Sequence, residues 1–107
     1  MDTKSMLDER RENKRYRAVP ILTGTNPSTY HMSVLHDVSL NGAFFLNREP
    51  PPLGTDIVIR FEDLPLAGYM LKGRVVRHAH EHVVGFGVEF SELHPRLLRA
   101  FYHPGRE

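Results

Sequence analysis

The chain contains no cysteine, which excludes disulfides and thiolate chemistry and is compatible with a reducing compartment. It has no long apolar run either, so it supplies neither a membrane-spanning helix nor the core of a signal peptide. The opening Met1-Asp2-Thr3-Lys4 is polar and unlike a targeting segment. The expectation is a cytoplasmic protein that does not insert into a membrane. Charge of one sign is also lacking: 14 Lys and Arg against 13 Asp and Glu leave a formal net charge of +1, too little for general polyanion binding. Length sets a further limit, since 107 residues make one small domain with one core.

What is present is unevenly distributed. Arg10, Arg11, Lys14, Arg15 and Arg17 crowd one short segment, and before Tyr16 only Met6 and Leu7 offer anything to bury. Residues 1–15 therefore read as a flexible basic arm with some helical tendency, ahead of a domain over 16–107. Within that domain, apolar alternation predicts strands over Tyr16–Thr23, Tyr30–Val38, Ala43–Leu46, Thr55–Phe61, Tyr69–Arg77 and Val84–Phe90. Tyr30, Met32 and Val34 are expected to face one way, and His31 and Ser33 the other. Gly24 to Ser28 reads as a loop, Pro20 belongs at an edge or bulge, and Pro50-Pro51-Pro52 forces a crossing outside regular sheet. Ser91 is a candidate N-cap for a closing helix whose Leu93, Leu97, Leu98 and Phe101 fall at helical spacing, with Pro104-Gly105 ending it. The expected fold is mainly β, a six-stranded antiparallel barrel with a C-terminal helix.

The segment His36-Asp37-Val38-Ser39-Leu40-Asn41-Gly42 joins two of these strands. Asn41-Gly42 predicts a type I′ hairpin, with positive φ at both central residues. Asp37 and Ser39, two apart, are expected on one face, where a carboxylate and a hydroxyl would stand together beside a glycine. Ordinary turn chemistry would use the same residues, and the arginines upstream decide between the two readings. Arg11 and Arg15 have a four-residue offset, and the interval from Arg15 to Asp37-Val38-Ser39-Leu40-Asn41-Gly42 suits one known pattern. At these residues the chain resembles the PilZ domain, whose signature is Arg-x-x-x-Arg followed by Asp/Asn-x-Ser-x-x-Gly. Gly73-Arg74-Val75-Val76 and Gly85-Phe86-Gly87-Val88-Glu89-Phe90 look like that family's later strands, so the resemblance runs from about Glu9 to Phe101.

The resemblance implies a receptor for cyclic di-GMP, with no reaction catalysed and no cofactor. It assigns Arg11 and Arg15 to phosphate and guanine, Asp37 to the N1 and N2 protons of guanine, Ser39 to a hydroxyl contact, and Gly42 to backbone clearance. Arg10, directly before the motif, resembles the residue that lets some members take up an intercalated pair of ligands. The ligand is expected to tie the arm across the barrel, an ordering switch that passes the signal to an unidentified protein effector, with no output domain fused. An adaptor that does not bind the ligand, or a small barrel binding single-stranded nucleic acid, are the alternatives; the second wants exposed stacking aromatics, which these strands mostly turn inward. His78, His80 and His82 alternate, but they fall on an expected hairpin tip without a fixed fourth ligand, so no metal is expected. A hydrolase built from Ser39, Asp37 and His36 fails because neighbours on one extended run cannot form a nucleophile–base–orienter chain.

Overall fold

Six antiparallel strands arise where β-branched and aromatic residues alternate with polar ones, and a computed structural model describes them over residues 16–21 and 32–102. They are β1 (Arg17–Ile21), β2 (Ser33–Val38), β3 (Gly42–Leu46), β4 (Asp56–Phe61), β5 (Met70–His80) and β6 (Val84–Phe90). Their order around the closed barrel is β1-β2-β3-β6-β5-β4. Among the described residues one helix, α1 (Pro95–Tyr102), follows the strands. The mainly β barrel with a C-terminal helix is thus the observed architecture. The expected arm over 1–15, the loop from Gly24 to Ser28 and the Pro104-Gly105 stop lie outside the described residues.

Phe45 stacks on Phe86 with ring centroids 5.5 Å apart, and Phe61 meets Phe45 at 6.1 Å. Ile59, Leu66, Leu71 and Val75 are fully buried around them. Each such side chain contributes about 1.5–3 kcal/mol on leaving water. α1 closes the core by burying Leu97 and Ala100, and Tyr16 fastens it by donating its hydroxyl to the Ala100 carbonyl at 3.1 Å. Pro20 pairs with Ile59 of β4, whereas the β1–β2 register covers Arg17 and Ala18, so the missing proline donor falls on the less paired side.

Four local expectations are sharpened or changed. On β2 the core face belongs to Ser33 and Leu35, while Met32 is 47% exposed. Ser33 can point inward because its hydroxyl accepts a hydrogen bond from Asn47 Nδ2 at 2.7 Å, which satisfies a buried polar atom. The helix starts at Pro95, not after Ser91: the His94 carbonyl accepts the Leu97 and Leu98 amides, which makes His94 the N-cap and puts proline at the first helical position. Leu93 consequently lies before the helix and is exposed. β5 runs on to His80, so His78 and His80 belong to the strand and not to the turn. No non-glycine residue among the described ones has positive φ, and Gly42 does not either, so the Asn41-Gly42 corner is not a type I′ turn. It is closed instead by the Ser39 amide donating to the Gly42 carbonyl at 2.8 Å.

Candidate functional site

Leu35 and Val38 are both buried although they are three positions apart, which a regular strand forbids. A register shift between Leu35 and Asp37 resolves this: Leu35 stands opposite Phe45 and Asp37 opposite Phe44, with His36 as the extra residue. The bulge turns His36 and Asp37 outward together. Ser39, two residues on, is outward as well, so the expected carboxylate–hydroxyl pair does share a face. A second register shift lies on β5, between Val75 and Arg77, with Val76 as the extra residue. Arg77 there stands opposite Gly87, Gly87 opposite Phe44, and Phe44 opposite Asp37. Asp37, Phe44, Gly87 and Arg77 therefore form one row across four adjacent strands on the outside of the barrel.

That row is the floor of a cleft of about 200 Å³, to which Ser39, Gly42 and Val76 also contribute. One carboxylate oxygen of Asp37 accepts the Val38 amide at 2.9 Å, and among the described residues its Oδ2 has no partner. Tyr102 at the end of α1 donates its hydroxyl to the Val38 carbonyl at 2.8 Å and lies 3.5 Å from Asp37 Oδ1. Burial first, and the nearby Asp37 carboxylate second, hold the Tyr102 hydroxyl above its ordinary range, so it stays protonated. Ser39 Oγ donates to the Gly42 carbonyl at 3.3 Å. Gly42 packs so tightly on β6 that a Cβ there would meet the Val88 carbonyl oxygen at 2.5 Å; the glycine is needed for close approach. The guanidinium of Arg77 lies over the Phe44 ring, 5.1 Å from its centroid, and His36 meets the same ring edge-on at 6.0 Å.

The cleft thus brings Asp37, Ser39 and Gly42 together with Phe44, Val76, Arg77 and Gly87, and Tyr102 stands beside Asp37; no binding motif in the sequence marks these last five. The Leu35–Val38 spacing was a usable sign of the first bulge. Nothing local announces that Arg77 faces Gly87. Arg10, Arg11 and Arg15 lie outside the described residues. Tyr16, the residue after Arg15 in the sequence, lies close by: its carbonyl accepts the Leu35 amide at 2.9 Å, two residues before Asp37.

Other candidates differ in chemistry. A wider hollow of about 570 Å³ at the far end of β3, lined by Met32, Leu46, Asn47, Arg48, Glu49 and Val84, contains none of the motif residues. Among the described residues no group of three or more histidines and acids could hold a metal ion. His78 donates Nε2–H to the Pro51 carbonyl at 2.7 Å and so anchors the proline connection. No described helix is long and apolar enough to cross a membrane. Comparison with curated proteins and with solved structures gives no match. The family model described as PilZ domain matches residues 9–102.

Proposed function

We propose that this chain, which belongs to the PilZ domain family, is a cyclic di-GMP receptor that hands the signal to a protein effector. The PilZ domain is a cyclic di-GMP-binding family of receptor and adaptor domains. The observation that carries the reading is the placement of Asp37, Ser39 and Gly42 on one outward cleft, with a carboxylate oxygen that has no partner among the described residues, near Tyr16, which follows the arginine motif in the sequence. Arg15 is bonded directly to Tyr16, and Arg11 precedes it by five positions, a span of at most about 18 Å of extended chain.

The ligand has two phosphates and two guanines. Arg11 and Arg15 supply planar forks for phosphate oxygens and for the O6/N7 edge of guanine. Asp37 accepts from guanine N1 and N2, Ser39 adds a hydroxyl contact, and the bare Gly42 backbone lets the base approach. Arg10 stacks on a second, intercalated ligand molecule. Isothermal titration of the wild type with cyclic di-GMP tests this against an Arg11→Ala/Arg15→Ala double variant. Each lost charged hydrogen bond is worth about 1.5–3 kcal/mol, so the double variant should lose roughly a hundredfold or more in affinity. The wild type should take two equivalents per chain and Arg10→Leu one. A wild-type curve without heat would reassign the protein to a family adaptor that does not bind the messenger.

A further inference from the structure

The motif residues occupy one side of the cleft and leave its opposite wall without a role. We propose that Arg77 is a third ligand arginine, reading the acceptor edge of a guanine whose donor edge is held by Asp37; this rests on the cyclic di-GMP reading above.

Position is the first argument. Asp37 and Arg77 end the same row of paired residues, on strands three spacings apart, or about 14 Å. Both strands bulge at that row, with His36 and Val76 as the extra residues. Bulges re-aim side chains, and two bulges turning a carboxylate and a guanidinium onto one face serve packing in no evident way.

The second argument is how Arg77 is held. Its side chain crosses the row above Gly87, where an added Cβ would stand 3.1 Å from both Cγ and Nε, and reaches the Phe44 ring. Glycine at this point lets the arginine lie low and extend back toward Asp37. Phe44 restrains the guanidinium, which reduces the rotamer freedom lost on binding. The third argument is what Arg77 lacks. Arg17, Arg60 and Arg74 each pair with a carboxylate, whereas Arg77 makes no ion pair among the described residues. Arg77 is exposed, and among the described residues its guanidinium donates no hydrogen bond.

Guanine fits between these two groups. It offers N1–H and N2–H to a carboxylate and, on the other side, O6 and N7 to a planar pair of donors. A lysine would carry the same charge to a phosphate but could not present that fork.

The test is isothermal titration of the full chain with cyclic di-GMP, comparing wild type, Arg77→Ala and Arg77→Lys, with thermal melts to show that the exposed substitutions leave the barrel folded. Both variants should bind roughly ten- to a hundredfold more weakly than wild type. Wild-type affinity in Arg77→Ala would overturn the proposal while leaving the receptor reading standing. Wild-type affinity in Arg77→Lys would overturn the guanine-edge role in favour of charge alone. A wild type that takes up no ligand removes the receptor reading, and the proposal with it.

Discussion

A methyl group on Gly42 would meet a backbone carbonyl oxygen that belongs to the barrel wall and cannot swing aside. Gly42→Ala should therefore lower the urea midpoint of unfolding, by an overpacking cost of about 1–3 kcal/mol. Gly54→Ala makes a useful contrast, since nothing lies near its Cβ and only its φ of +82° is at stake, a cost of about 1–2 kcal/mol. His94 bears a different constraint. The Tyr69 hydroxyl is hydrogen-bonded to His94 Nδ1, and Nε2 is buried with no hydrogen-bond partner among the described residues. Burial holds the imidazole below its ordinary range, against a weaker opposing pull from Glu92. The unfolded chain takes up that proton near about pH 6.5, while the folded one resists it. The stability tied to a neutral His94 is thus complete above that pH and is lost as pH falls below it, towards the depressed folded value. Urea midpoints at about pH 7.5 and 5.5 should diverge more in wild type than in His94→Gln. Asp37, Ser39 and Gly42 were legible because a short motif carries them together. Arg77 was not, because its neighbours Gly87 and Phe44 come from two other strands. At Gly42 the Asn-Gly pair suggests a dihedral requirement, whereas the packing against β6 imposes a steric one.

Helix α1 shows how far periodicity reaches. Leu93, Leu97, Leu98 and Phe101 share helical spacing, yet Leu93 is 62% exposed and Leu97 fully buried. The pattern was real only from the proline onward, because Pro95 at the first helical position and the His94 carbonyl set the start. Leu97→Ala should cost about 2–5 kcal/mol in chemical denaturation, and Leu93→Ala no more than about 0.5 kcal/mol. Equal losses would mean that the helix begins a turn earlier. Strands were legible by alternation, but the inward face of β2 was not. A bulge adds one residue and reverses the phase, so Leu35 and Val38 point inward where strict alternation would oppose them. The same device on β5 carries Arg77 outward. These irregularities coincide with the cleft, which ties the departures from regular pattern to the site.

For the whole molecule, barrel closure brings β2, β3, β6 and β5 side by side, so that residues separated by some fifty positions line one row. The fold class could be read from turn residues and strand count; the row could not, since it depends on the register of three separate pairings. Tyr16 and Tyr102 link this wall to α1 through the Ala100 and Val38 carbonyls, so occupation of the cleft lies next to both the entry of the basic segment and the last turn of the helix. Under the proposed function, cyclic di-GMP binds on this wall. Backbone amide chemical shifts, followed by NMR during titration of the full chain with the ligand, test it most directly. The largest changes are expected at Asp37 to Phe44, at Val76 and Arg77, and at Gly87 and Val88. Unchanged spectra at saturating ligand, or changes confined to Met32, Asn47 to Glu49 and Val84 around the other hollow, would contradict it.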